Sequence, residues 1–119
     1  MNENSAKPLA GIRVIEVGQL LAGPWAGTML GYFGAEVIKV EPPEVGDPIR
    51  KWREVKNGQS LWWSSLARNK KCVTLDLKEA RGRELLGELI NKSDVVIENF
   101  KPGTMEKWDL GSKNFETSN

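Results

Sequence analysis

Ile12-Arg-Val-Ile-Glu-Val17, Gly18-Gln-Leu-Leu-Ala-Gly-Pro24 and Val37-Ile-Lys-Val40 decide the fold. The first run is β-branched and mostly apolar, which suits a strand covered on both faces. The glycines at 18 and 23 break it, and Pro24 suits the first turn of a helix. Trp25, Met29 and Phe33 then recur every four residues beside Ala26 and Leu30. Gly27 and Gly31 lie one turn apart and let such a helix approach a sheet closely, and Gly34 ends it. Val37 to Val40 follows as a second buried strand, so the unit implies a right-handed parallel crossover.

Working outward, residues 42–60 hold Pro42, Pro43, Gly46, Pro48 and Gly58 and read as a long loop. Leu61 to Leu66 is a short apolar patch whose structure is left open. Val73, Leu75 and Leu77 alternate with polar residues and predict a third strand. The pairs Leu85–Leu86 and Leu89–Ile90 repeat at helical spacing within Lys78 to Lys92. Asp94 to Glu98 predicts a fourth strand, and Pro102 a last helix through Trp108. The order βα, β, loop, βα, β, α is half of a nucleotide-binding α/β sheet. Two main helices are few for it, and the sequence reads like a domain cut off before completion. Three segments follow: a flexible leader over 1–9, an α/β segment over 10–111 and a polar tail over 112–119.

Composition narrows the chemistry. The 119 residues carry 17 Lys plus Arg against 16 Asp plus Glu, a net charge of +1, which gives no general pull toward nucleic acid or membrane. Histidine is absent, so no His base, His-paired nucleophile or His metal ligand is available. Cys72 is the single cysteine, which excludes an internal disulfide and a zinc cluster and fits a reducing compartment. No apolar run approaches the roughly 20 residues of a membrane helix. A soluble, cytoplasmic protein is expected, with no bound metal.

Several segments could carry a site. The 18–24 turn joins a buried strand to a helix start, where free N–H groups can face an anion; an ordinary βα turn is the plainer reading. Glu41 ends the second strand, where dinucleotide-binding folds keep a ribose-binding acid. The turn lacks Gly-x-Gly-x-x-Gly spacing, which argues against a nicotinamide cofactor. Arg68, Lys70 and Lys71 can gather phosphates or simply form a solvated turn. Trp62 and Trp63 can stack on a base, or belong to a core or an interface. Asn99 and Phe100 stand at the carboxyl end of a buried strand, where ligands of open α/β sheets bind; Asn99 can equally cap a turn.

Together these segments carry a resemblance. Leu9-Ala-Gly-Ile-Arg-Val-Ile-Glu-Val17, Leu21-Ala-Gly-Pro24 and Gly34-Ala-Glu-Val-Ile-Lys-Val-Glu41 resemble the opening of class III coenzyme A transferases. Gly46-Asp-Pro-Ile-Arg50, Asn69-Lys-Lys71, Leu75-Asp-Leu-Lys78 and Glu98-Asn-Phe-Lys-Pro-Gly103 follow in family order, so the likeness spans about residues 8–111. It implies a partial Rossmann-like parallel sheet with flanking helices, the amino-terminal portion of a larger interlocked-dimer fold. It implies transfer of CoA between an acyl-CoA and a carboxylic acid, with both as substrates and no permanently bound cofactor. Two other readings stay open: a non-catalytic nucleotide- or CoA-binding module, and a relative of α-methylacyl-CoA racemase.

The resemblance also assigns positions. Gln19, Leu20, Leu21 and Ala22 match the turn that lines the CoA site. Leu75 and Lys78 match positions near the adenosine end, and Asn99 and Phe100 the segment touching pantetheine and nucleotide. Lys107 stands where relatives often carry an arginine near phosphate. Pro42 replaces an arginine that several members place after the acid matching Glu41, which leaves its contact to a cation such as Arg50 or Lys71. The family's nucleophile is an aspartate in a later segment, so no residue here is assigned as catalytic. Asp47, in the long loop, is the first alternative among the acids present.

Overall fold

The computed structural model describes residues 7–116. Four strands form a parallel sheet: β1 (Arg13–Glu16), β2 (Glu36–Glu41), β5 (Lys70–Thr74) and β6 (Val95–Ile97), in spatial order β5-β2-β1-β6. Counting only these strands the order is 3-2-1-4, which matches the first four strands of a doubly wound sheet. β1 sits inside the sheet with Val14, Ile15 and Glu16 fully buried. Val14 faces Val37 on one side and Val95 on the other.

The strands' two side-chain faces build two cores, as a period of two requires. Ile15, Val17 and Val40 pack with Leu86 and Ile90 of α3 (Ala80–Asn91), Met105 of α4 (Thr104–Lys107) and Leu110. Val14, Ala35 and Val37 form the opposite cluster with Leu9, Ile12 and Leu30. Leu30 comes from α1 (Ala22–Tyr32). The expected flexible leader covers 1–9, and residues 1–6 lie outside the described residues. Leu9 is held in place, with its N–H donating to the Phe33 carbonyl at 3.0 Å.

α1 buries its small residues, not its aromatic stripe. Gly23, Pro24, Gly27, Thr28 and Gly31 face inward, whereas Trp25 is 55% and Phe33 51% exposed. A Cβ at Gly27 would collide with Glu16 Oε1, so glycine is what lets the helix seat on the sheet. The four-residue repeat predicted the helix, and the glycines at 27 and 31 marked the face that packs on the sheet.

The 42–60 loop is more ordered than its Pro/Gly content suggests. It holds a 3-10 turn at Pro48–Lys51 and a small antiparallel hairpin, β3 (Val55–Lys56) with β4 (Gln59–Ser60). Asn57 and Gly58 make its tight turn with φ of 52° and 77°, the Asn-Gly hairpin signal. The open patch 61–66 becomes α2 (Leu61–Leu66), capped by Ser60 Oγ accepting from the N–H of Trp62 and Trp63. β5 starts upstream of the alternating Val73, Leu75 and Leu77. Lys70 is its first residue, and Leu75 and Leu77 lie beyond it, packed on the core from a turn that Asp76 closes by accepting from Lys78 N–H at 3.0 Å. No helix among the described residues is long and apolar enough to cross a membrane.

Candidate functional site

The parallel strands end together beside the β1–α1 turn, which is where an open α/β sheet offers a crevice. Side chains near these ends build a recess of about 170 Å³ lined by Gln19, Pro42, Leu75, Lys78, Phe100 and Trp108, among others. Phe100 and Trp108 meet edge to face at 5.5 Å and form its aromatic wall. Leu21 and Ala22, one step along the turn, line a separate apolar recess of about 360 Å³ with Trp25 and Trp62. Gln19, Leu75, Lys78 and Phe100 are thus brought together from three distant segments.

The other expected positions stand elsewhere. Leu20 lies between the two recesses at φ 65°, in the left-handed region. Asn99 spends its amide on the backbone of Gln19: Oδ1 accepts from Gln19 N–H at 2.8 Å, and Nδ2 donates to Gln19 O at 2.9 Å. A Cβ at Gly18 would collide with Asn99 Oδ1, so glycine admits that clamp. Lys71 points to the opening of β2, where its ammonium pairs with Glu36 Oε1 at 2.6 Å. That pair, with Arg13, holds the Glu36 carboxyl below its ordinary range. Lys107 is exposed on α4 outside both recesses.

Arg50 is also committed. Its Nε and Nη2 donate to Glu41 Oε2 and Oε1 at 2.7 and 2.8 Å, and its guanidinium lies 3.7 Å over the Trp63 ring. Lys78, in the lining, has no ion pair among the described contacts and presents an exposed ammonium. The cation best placed for an anionic ligand here is therefore Lys78.

Beneath the turn lies a buried charge network whose pairing only the fold brings about. Lys39 Nζ contacts Glu16 Oε2 at 2.7 Å and Asp47 Oδ2 at 2.8 Å, and donates to Gly18 O at 3.2 Å. Lys70 Nζ contacts Glu16 Oε1 at 2.7 Å and donates to Pro24 O at 2.7 Å. Asp47 N–H donates to Glu41 Oε2 at 2.7 Å, which joins the Glu41–Arg50 pair to the same network. Glu16, Asp47 and Glu41 balance Lys39, Lys70 and Arg50 charge for charge, as burial demands. Burial pulls the Lys39 ammonium down, but Glu16 and Asp47 outweigh it and hold its pKa above the ordinary lysine value. Burial dominates at Lys70 and lowers it. Burial likewise pushes the Glu41 carboxyl up, and Arg50 and the Asp47 N–H reverse this and hold it below its usual value.

Asp47 is fully engaged. It is 1% exposed; both carboxylate oxygens accept hydrogen bonds, and Oδ2 also meets Lys39. It is not available as a nucleophile in this arrangement. A groove of about 630 Å³ runs beside β6 and is lined by Val96, Met105, Leu110 and Phe115, among others; none of the expected site residues lines it. Among the described residues no group of His, Cys, Asp or Glu is arranged to hold a metal ion.

Comparisons with known proteins place the chain in a family. The family model for CoA-transferase family III matches residues 9–119. The chain is 51% identical over 111 residues to a succinyl-CoA–D-citramalate CoA-transferase of Chloroflexus aurantiacus, covering 92% of this chain and 28% of that protein. It is 43% identical over 123 residues to a succinate–glutarate CoA-transferase of Agrobacterium fabrum, covering 98% and 31%. Among solved structures, a CaiB/BaiF family protein of Brucella suis superposes with a TM-score of 0.85 at 40% identity, over 95% of this chain and 31% of that one. The chain thus spans less than a third of the length of each of these relatives.

Proposed function

The chain belongs to CoA-transferase family III, and we propose that it supplies the CoA-binding portion of an enzyme moving coenzyme A between an acyl-CoA and a carboxylic acid. The observation that carries this is the recess at the strand ends, where Gln19, Leu75, Lys78 and Phe100 converge. Phe100 and Trp108 offer flat faces to an adenine, and Lys78 an unpaired charge to a phosphate. The rest of the CoA chain would run over the exposed 19–22 turn toward the acyl group. The relatives' names join succinyl-CoA or succinate to citramalate and glutarate, which supports dicarboxylic acids as the exchanging partners.

In the proposed mechanism the binding portion lies within residues 10–111, and an aspartate outside the matched segments attacks the thioester. A carboxylate is both nucleophile and leaving group, so acyl and CoA exchange in steps through an anhydride and an enzyme thioester. The enzyme would act as a homodimer, and the lone Cys72 thiol fits a cytoplasmic location. Calorimetric titration of CoA into the chain and its Lys78→Ala and Lys71→Ala variants tests the site. Lys78→Ala should weaken binding by about 1–3 kcal/mol if its phosphate contact is charge-assisted. Lys71→Ala should change it little, because that ammonium is held by Glu36. Equal affinity for all three proteins would refute the placement.

A further inference from the structure

Leu20 adopts a backbone shape that leucine avoids. At φ 65° its Cβ crowds the following carbonyl, a strain L-residues avoid. Such a residue keeps this shape only where its surroundings over-determine it. Here the restraint comes from far along the chain. Leu20 N–H points into the Asp47 carboxylate, 3.1 Å from Oδ1 and 3.3 Å from Oδ2.

We infer that Asp47 is a positioning residue that, with Asn99, clamps the Gly18–Leu20 turn in the shape the proposed CoA site uses. The inference rests on that functional reading for its consequence and on the hydrogen bonds for its mechanism. Four backbone polar groups of the turn are taken. Gly18 O meets Lys39, Gln19 N–H and O meet the Asn99 amide, and Leu20 N–H meets Asp47. Asp47 is itself immobilised by Lys39 Nζ and by Ile49 N–H, which donates to Oδ1 at 2.9 Å. With the backbone fixed from below, Gln19 is delivered to one recess and Leu21 to the other. Without the carboxylate, Leu20 relaxes to an ordinary backbone region and both side chains swing off their recesses.

The test combines amide hydrogen exchange by NMR with CoA titration, on the chain and on its Asp47→Ala, Asp47→Asn and Val14→Ala variants. Val14 is fully buried in the cluster on the other face of the sheet, none of whose members lines either recess, so its truncation reports simple loss of stability. In the unaltered chain the Leu20 amide should be protected. In Asp47→Ala that protection should vanish while Ile15 and Val17 stay protected, and CoA affinity should drop about tenfold, the population cost of a conformer lifted by the leucine strain. Asp47→Asn keeps an oxygen for Leu20 N–H and should restore most of the protection and affinity. Val14→Ala should leave both close to the unaltered chain. Freely exchanging Leu20 in the unaltered chain overturns the clamp without any variant. So does full Leu20 protection in Asp47→Ala, or an equal affinity loss in Val14→Ala. If the unaltered chain binds no CoA, the functional reading fails, and the exchange data alone still decide the clamp.

Discussion

Replacing Lys39 by methionine removes one charge from the buried network while keeping a side chain of similar length. Lys39 is 1% exposed and meets Glu16 at 2.7 Å and Asp47 at 2.8 Å. At those distances and an effective dielectric near 20, each contact is worth about 6 kcal/mol of gross attraction. Burying each ion costs several kcal/mol in return, so removal of one partner destabilises by about 3–5 kcal/mol, mostly from the charge left unpaired. Lys39→Met leaves Glu16 with Lys70 and Asp47 with no cation in contact. For a chain of this size that loss lowers the melting temperature by about 12–20 °C, at roughly 4 °C per kcal/mol. Adding Asp47→Asn removes the stranded negative charge and should recover about 1–3 kcal/mol, as coupling between contacting sites predicts. Urea unfolding followed by tryptophan fluorescence and circular dichroism measures all three variants. A cost below about 1 kcal/mol for Lys39→Met, or strictly additive losses in the double variant, would refute the network as a coupled unit.

Gly27→Ala places a Cβ against the Glu16 carboxylate and should cost about 1–3 kcal/mol as α1 is forced off the sheet, which denaturant melts would read. Acid should destabilise the chain through Glu41 and Glu36. Both carboxyls titrate below their ordinary value of 4.5 in the fold, so their stabilisation is complete above that pH and is lost as pH falls through the lower native values. Glu41→Gln should flatten the acid limb of a stability–pH curve; an unchanged limb speaks against its pairing with Arg50. The chain alone should transfer no CoA, because Asp47 is occupied and no other acid here is assigned as the nucleophile. Mass spectrometry after incubation with succinyl-CoA and a panel of dicarboxylic acids would detect a new acyl-CoA if that is mistaken.

What the sequence determined by itself was whatever short-range pattern and motif order can carry. The β-branched runs 12–17 and 37–40 named the first two strands, and 94–98 the last, because strands of a parallel sheet carry mostly apolar, β-branched side chains. The glycines at 27 and 31 announced a helix packed close to the sheet. The ordered motifs identified the family before any contact was known. The alternation at 73–77 misled, because Leu75 and Leu77 reach the core from a turn and mimic a strand's period.

Only the tertiary structure decided the site. In sequence Glu16 and Lys39 are single charges inside apolar strand runs and Asp47 and Lys70 ordinary loop charges, and nothing there pairs them. Their burial becomes affordable only when strand register sets Glu16 opposite Lys39 and Val37 opposite Lys70, so that charges far apart in the chain neutralise one another. The same holds for the recess. Gln19, Leu75, Lys78 and Phe100 lie on separate connections, and the parallel sheet gathers them because every strand ends on the same side. The shape of the 18–20 turn depends on Asp47 and Asn99, 27 and 80 residues away. Local propensity cannot foresee a left-handed leucine, because the hydrogen bonds that hold it come from distant segments of the chain.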